Sequence, residues 1–232
     1  MSCAERATYH HGDLRQTLLD AAVRHIREQG TEGLSLRALA REAGVSPTAP
    51  YRHFENRTGL LAALATEGFR ELEAGMLEAS VDAERDPVAA LHALGCAYVE
   101  YARAHPVQYH LMFGDLIGDF SPFSELLEAA ETCYGRLEQV LARGLERGLF
   151  RGPDLQELGG HTWAGVHGIA GLVIAAERKR ATLPDLPIEE IRPLCAQQRV
   201  LESRERAVAR LMAGLVADEA ALAALRSHTG DG

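Results

Sequence analysis

The chain has 232 residues, of which 47% are hydrophobic, so it has enough apolar material for a small domain and a larger one. No stretch approaches the roughly 20 consecutive apolar residues of a membrane-spanning helix, and no signal-peptide pattern opens the chain. We therefore expect a soluble, cytoplasmic protein without a membrane partner. The four cysteines are widely spread and predict neither a zinc site nor a disulfide framework, and we expect no cofactor.

The formal net charge of −9 argues against nonspecific coating of DNA, but the charge is unevenly distributed. Residues 1–60 contain eight arginines and seven acidic residues, a balance of +1, so residues 61–232 carry −10. Because phosphate binding depends on local cations, an acidic body is compatible with a DNA-binding head.

The first elements of the chain predict a helix-turn-helix. Apolar residues over 14–26 recur at helical spacing, and Ser35 can cap a second helix whose apolar residues over 36–43 share one face. Gly44 follows where a left-handed residue ends a helix, and Ser46-Pro47 then supplies a new N-cap and a proline at the first helical position. Two helices joined so briefly turn sharply, which leaves the second free to enter a major groove.

The second helix of this motif has side chains that suit DNA. If Pro50 and Phe54 face the core, the polar residues around them face outward, and Arg52 can reach either a phosphate or a guanine edge. Pro50 forfeits the hydrogen bond to the Ser46 carbonyl, so we expect a tightened or late-starting first turn. Asn56 can cap a further helix. The candidate DNA-binding residues are Ser35, Arg37, Ser46, Thr48, Ala49, Tyr51, Arg52, His53 and Arg57.

Residues 46–57, with the sequence Ser-Pro-Thr-Ala-Pro-Tyr-Arg-His-Phe-Glu-Asn-Arg, resemble the recognition helix and following turn of the TetR family of bacterial transcriptional regulators. Residues 9–15 resemble the family's entry into its first helix, and residues 30–34 its first loop. Most members have a good helix former where this chain has proline, so either Thr48 or Ala49 can be the residue that reaches a base edge. The resemblance implies a DNA-binding domain over residues 1–60.

The rest of the chain reads as successive helices, so we predict an all-α fold with a three-helix head and a larger helical body over residues 61–232. A long helix is expected from residue 56 to about residue 80. Asp86-Pro87 and Ser121-Pro122 each have the signature of an N-cap followed by proline, and a short helix is expected over 105–113.

The C-terminal part contains two further predicted helices. One should begin near Asp154 and continue to about residue 178, and three prolines exclude a single regular helix over 181–197. A last helix is expected over about 198–225, with an apolar stripe that either forms a dimer interface or folds back on its own subunit.

A second motif lies in the long helix that follows Asp154. Trp163 and His167 share a helix face, and the interior glycines around them predict close packing against the helix backbone. The pattern Trp-x-x-x-His-Gly resembles the C-terminal domain of a TetR subgroup called the WHG domain, and residues 105–113 are similar to that subgroup as well. The resemblance implies a homodimer in which the last two long helices pair with their copies.

Aromatic and polarizable residues of the body either line a cavity for a small, largely apolar effector or form an ordinary core. Glu157 and His161 are spaced as metal ligands without an evident third partner, so we expect no metal site. The candidate ligand-binding residues are Tyr98, Tyr101, Tyr109, Met112, Phe113, Tyr134, Trp163 and His167.

These features predict a transcriptional regulator that binds double-stranded operator DNA, most simply a repressor that a small-molecule effector releases. No nucleophile–base pair, phosphate-binding glycine loop or metal set points to an enzyme. Two alternatives remain: a ligand-binding or catalytic helical protein with a vestigial DNA-binding head, and an activator of the same fold.

Overall fold

The computed structural model describes residues 14–81, 85–152, 154–185 and 187–227. The motif at residues 9–13 and Cys3 therefore lie outside the described residues. Within them, regular structure is helical apart from one isolated bridge between Phe150 and Val216. The predicted all-α fold, with a helix-turn-helix head and a larger helical body, is confirmed.

Ten α-helices and two short 3-10 turns follow one another in these ranges. The α-helices are α1 (Leu14–Gln29), α2 (Leu36–Glu42), α3 (Arg57–Ala79), α4 (Pro87–Ala104), α5 (Pro106–Phe113), α6 (Ser124–Glu146), α7 (Leu155–Thr182), α8 (Arg192–Glu202), α9 (Arg204–Ala213) and α10 (Glu219–Ser227). The 3-10 turns are Ala49–Arg52, which we call the recognition turn, and Ile188–Glu190.

The start and end of α2 follow the predicted capping signals. The Ser35 hydroxyl accepts a hydrogen bond from the Ala38 N–H at 3.2 Å, which satisfies a donor in the first turn of the helix. Gly44 has a φ of +67°, the left-handed conformation that residues with a Cβ rarely adopt. These two residues fix where the chain turns between α2 and the recognition turn.

The recognition turn differs from the α-helix that we expected to begin at Ser46. Tyr51 N–H donates to the Thr48 carbonyl at 3.2 Å and Ala49 N–H to the Ser46 carbonyl at 3.0 Å, both with the three-residue spacing of a 3-10 helix. Pro50 has no N–H to continue an α-helical ladder from Ser46. The expected tightening and late start are confirmed, whereas the predicted cap at Ser46 is wrong.

Helix α3 connects the head to the body. The Asn56 side chain caps it by accepting a hydrogen bond from the Gly59 N–H at 2.9 Å, as predicted. The helix buries Leu60, Leu61 and Leu64 near the head and Leu72 further along, and it packs against α4, α5 and α6. One continuous helix therefore belongs to both parts of the chain.

Two predicted N-caps of the body have different outcomes. Asp86 caps α4 by accepting hydrogen bonds from the N–H groups of Val88 and Ala89, each at 3.0 Å. Ser121 does not cap α6, which begins at Ser124. The Ser121 hydroxyl donates instead to the Asp119 carboxylate at 2.8 Å, so the predicted cap is wrong.

The predicted C-terminal helix over 198–225 is also wrong, since the chain forms α8, α9 and α10 there. After α9 the backbone extends and pairs with the loop that precedes α7. Arg151 N–H donates to the Leu215 carbonyl, and Ala217 N–H donates to the Leu149 carbonyl, both at 2.8 Å. These non-local bonds satisfy the backbone that a continuous helix would have satisfied locally.

Candidate DNA-binding surface and ligand cavity

The recognition turn separates buried from exposed side chains as predicted. Pro50 and Phe54 are buried, and the Arg15 guanidinium lies 5.8 Å from the centre of the Phe54 ring. Tyr51 is 47% exposed, and Arg52 and His53 are exposed beside it. The turn therefore presents a phenol, a guanidinium and an imidazole to solvent, which are side chains that bind phosphates and base edges.

The other candidate DNA-binding residues lie near this turn with different roles. Ser35, Arg37, Ser46 and Thr48 are exposed and Ala49 is half-buried. The Ser35 oxygen is already used as the cap of α2. Helix α2 packs directly against the turn, so Ser35 and Arg37 lie near it as well.

Arg57 is different, because it is half-buried and donates to the Thr31 carbonyl at 3.1 Å. This bond ties the start of α3 to the loop between α1 and α2. Arg41 is exposed on α2 and is a further candidate that was not among the predicted DNA-binding residues. Its spacing of four residues from Arg37 places both cations on one helix face, and that spacing was the available signal.

The body has a partly open cavity of about 520 Å³ between α3, α4, α5, α6, α7 and α9. Four of the predicted ligand-binding residues line it: Tyr98, Phe113, Tyr134 and Trp163. The other lining residues were not among the predicted ligand-binding residues; they are Phe69, Leu72, Met76, Leu91, Leu94, Gly95, Ala130, Cys133, Leu137, Gly160, Thr162, Val166 and Met212. The volume is within the range of small-molecule sites in proteins.

The structure places the remaining four candidates outside the cavity lining. Tyr109 and His167 lie behind Tyr98, and both of their polar groups contact it. The Tyr101 hydroxyl instead donates to the Glu71 carboxylate at 3.1 Å. Met112 packs on α3, where a Cβ added at Gly68 would lie 2.7 Å from its sulfur.

The polar groups at the cavity are neutral at physiological pH. Burial raises the pKa of Tyr98 and raises that of Tyr109 to about 12, and burial lowers the pKa of His167. Burial also raises the pKa of the Cys133 thiol to about 12. Among the described residues that line the cavity, none is charged.

Of the three α7 glycines around Trp163 and His167, one has the predicted close packing within the subunit. A Cβ added at Gly165 would lie 2.6 Å from the Leu211 side chain, so α9 approaches the helix backbone there. Nothing lies within 4 Å of a Cβ added at Gly168 or Gly171. The prediction is confirmed for Gly165, whereas Gly168 and Gly171 face outward from the subunit.

Glu157 and His161, the pair with metal-ligand spacing, are both exposed on α7. No group of three or more His, Cys, Asp or Glu residues that could hold a metal ion occurs within the described ranges. None of the helices in these ranges is long and apolar enough to cross a membrane.

Comparison with known proteins gives matches to both parts of the chain. The family model for bacterial regulatory proteins of the tetR family matches residues 18–64, and that for tetracyclin repressor-like C-terminal domains matches residues 91–190. A nicotine-responsive transcriptional repressor from Paenarthrobacter nicotinovorans is 45% identical over 60 residues, which are 26% of this chain and 31% of the repressor.

Two further relatives extend the similarity into the body. An HTH-type transcriptional regulator of Mycobacterium tuberculosis is 27% identical over 144 residues. The match covers 59% of this chain and only 59% of that relative's length. A solved structure of a Rhodococcus sp. RHA1 protein of unknown function is 33% identical, with a TM-score of 0.69, over 90% of this chain and 99% of that one. Because the head and the body match models of the same family and the helix-turn-helix has the geometry described above, the chain belongs to the TetR family of bacterial transcriptional regulators.

Proposed function

We propose that this chain is a sequence-specific transcriptional repressor that binds double-stranded operator DNA as a homodimer and is released from it by a small, largely apolar effector. Residues 1–60 serve as the DNA-binding domain and residues 61–232 as the regulatory and dimerisation domain. The protein acts on DNA without catalysis, in the cytoplasm where a bacterial chromosome lies. The single observation that carries this proposal is α3, which begins beside the recognition turn and continues to the cavity.

The recognition turn supports the DNA-binding part of the proposal. Tyr51, Arg52 and His53 are exposed next to one another, and Arg37 and Arg41 add positive charge on the neighbouring face of α2. Such cations contact phosphates and release counterions, while Arg52 or Thr48 reads a base edge. A body with a net negative charge limits nonspecific binding.

Helix α3 supports the ligand-responsive part. Its first turn is held by Asn56 beside the recognition turn, and Phe69, Leu72 and Met76 from the same helix line the cavity. A ligand that displaces these side chains shifts the helix and with it the head. Operator affinity then falls by the ratio of the ligand's affinities for the two conformations.

A homodimer is proposed because one helix-turn-helix contacts few base pairs, and useful specificity requires two half-sites about one helical turn or more apart. The outward face of α7 offers a surface for the second copy. Gly168 and Gly171 leave room for close approach, and Leu172 on the same face is 40% exposed.

The test is selection of bound sequences from a random DNA duplex pool at near-physiological salt, with the Tyr51→Ala variant as the matched control. We expect wild-type protein to enrich a palindromic site and the variant to lose it without a change in its thermal unfolding, since Tyr51 is half exposed. Failure of the folded wild-type protein to enrich any site at several salt concentrations would contradict the proposal. Transcription from a promoter with the selected site then distinguishes repression from activation.

A further inference from the structure

A cluster of polar side chains lies at one end of the cavity, where α4, α5 and α7 meet. The hydroxyls of Tyr98 and Tyr109 lie 2.9 Å and 2.7 Å from the same atom, Nδ1 of His167. The two hydroxyls are 3.5 Å apart, at the limit of a hydrogen bond. Of these three residues only Tyr98 lines the cavity, and it is 6% exposed.

Two phenol protons therefore share too few acceptors within this cluster. An imidazole Nδ1 without a proton has one lone pair in the ring plane, so it accepts well from only one of the two hydroxyls. Tyr109 is the nearer donor, which leaves Tyr98 with the 3.5 Å contact. If Nδ1 has the proton, it donates to one phenol and neither phenol donates to it, so both protons need other acceptors.

Tyr98 is the phenol that a ligand in the cavity can reach, because Tyr98 lines the cavity and Tyr109 does not. When Tyr109 donates to Nδ1 of His167, the proton of Tyr98 has only the 3.5 Å contact with the Tyr109 oxygen, at the limit of a hydrogen bond. Because a buried donor is normally paired, an acceptor presented from the cavity would complete this arrangement.

The remainder of the lining excludes a charged ligand. Its one buried hydroxyl, that of Thr162, donates to the Leu158 carbonyl at 2.7 Å within α7. Most of the side chains that α3 and α6 contribute to the lining are apolar, such as Leu72, Met76 and Leu137. An ionised group among them would lose its hydration without a partner of opposite charge, which costs several kcal/mol.

From this geometry we infer that the effector is an uncharged molecule with an apolar body and one hydrogen-bond acceptor, such as a carbonyl or ether oxygen, which accepts the proton of Tyr98. This inference rests on the proposed function, because it names the ligand class of the same cavity. The acceptor lies at the α4–α5–α7 end, and the apolar body lies between α3 and α6.

The experiment uses four probes with one phenylalkyl skeleton: benzylacetone, butylbenzene, phenylbutyrate and phenylbutylamine. Trp163 lines the cavity and is the only tryptophan in the chain, so its fluorescence reports binding directly, with calorimetry as an independent measurement. Tyr98→Phe removes the hydroxyl and retains the ring. The matched control is Tyr101→Phe, which removes a hydroxyl one turn later on α4, outside the cavity lining.

We expect Tyr98→Phe to weaken benzylacetone binding about fivefold to tenfold, the value of one neutral hydrogen bond, and to leave butylbenzene binding unchanged. Tyr101→Phe should change neither. The two charged probes should bind wild-type protein at least about tenfold more weakly than benzylacetone. Circular dichroism and thermal unfolding of both variants confirm that they are folded.

Three results would overturn the inference: an equal effect of Tyr98→Phe on benzylacetone and butylbenzene, tighter binding of a charged probe than of benzylacetone, or no binding of any of the four. All of these are measured without DNA. Operator release is assayed separately with the selected site, so a regulator that responds to another kind of ligand would keep the proposed function and lose only this inference.

Discussion

The side chains proposed to function in the recognition turn are exposed to solvent, whereas those proposed to function in the cavity are buried. In the head, Tyr51 is 47% exposed while buried Phe54, three residues later, packs the turn against the core. In the body, Tyr98 is 6% exposed and packs against the rings of Tyr109 and Phe113. Under the proposed function, activity and stability therefore depend on different residues in the head and on the same residues in the cavity.

The largest expected effect comes from replacing tyrosine by alanine at the buried position 98, compared with the same replacement at the exposed position 51. Tyr98→Ala removes a buried aromatic ring and should lower the free energy of unfolding by about 3–5 kcal/mol. Tyr51→Ala removes an exposed ring and should change it by no more than about 0.5 kcal/mol. Chemical denaturation of the two variants measures both values.

Equal destabilisation by the two substitutions would show that the recognition turn also depends on Tyr51 for its fold. Tyr98→Phe is the control for Tyr98→Ala, since it retains the ring and its contacts. A small loss in Tyr98→Phe beside a large loss in Tyr98→Ala would assign the stability to packing rather than to the hydrogen bonds of the hydroxyl.

A smaller effect is expected for the charge on the recognition turn. Arg52→Ala should weaken operator binding by about 1–3 kcal/mol per subunit without changing stability, because Arg52 is exposed and lies on the proposed DNA-binding surface. Arg206→Ala is the matched control, since it removes an exposed cation from α9 in the body. Binding of labelled duplex at two salt concentrations measures the affinity and its salt dependence.

Similar losses of affinity in the Arg52 and Arg206 variants would indicate a general effect of net charge. Loss of affinity on every sequence, with a reduced salt slope, would assign Arg52 to a phosphate, whereas a relaxed preference at one position would assign it to a base edge.

Much of the helical framework was predictable because helix caps are local. Ser35, Asn56, Asp86 and Asp154 each accept a hydrogen bond from an N–H two or three residues later, and the sequence shows both partners. Ser121 has the same signature, but Asp119 accepts the proton of its hydroxyl. The second break in the predicted C-terminal helix, between α9 and α10, depends on pairing between residues some 65 positions apart, which no local sequence pattern indicates.

The cavity was predictable only in composition. Aromatic residues at helical spacing indicated that Tyr98, Phe113, Tyr134 and Trp163 face one interior. The separation of Tyr101 from that group depends on the Glu71 carboxylate on another helix. Which side of each helix faces a cavity follows from how the helices splay, and this is set by packing between distant segments.

The smallest expected change in free energy, and the sharpest test of the head, is Pro50→Ala. The new N–H can donate to the Ser46 carbonyl, which favours an α-helical turn over the 3-10 turn of the native chain. The gained hydrogen bond and the lost rigidity of proline are each worth about 1 kcal/mol or less, so stability should change little. The geometry should change more, because side-chain directions differ by about 20° per residue between the two helix types.

Repeated selection of DNA sites should therefore give Pro50→Ala a different preferred sequence, with an affinity for its own site similar to that of the wild-type protein for the native one. Pro47→Ala is the control, because it changes a proline before the recognition turn and should retain the native site. An unchanged site in Pro50→Ala would show that Arg52 and Tyr51 contact phosphates only, since phosphate contacts position the head without reading sequence. The stability of the head and its choice of DNA site would then depend on different residues, although Pro50 sets the directions of both Tyr51 and Arg52.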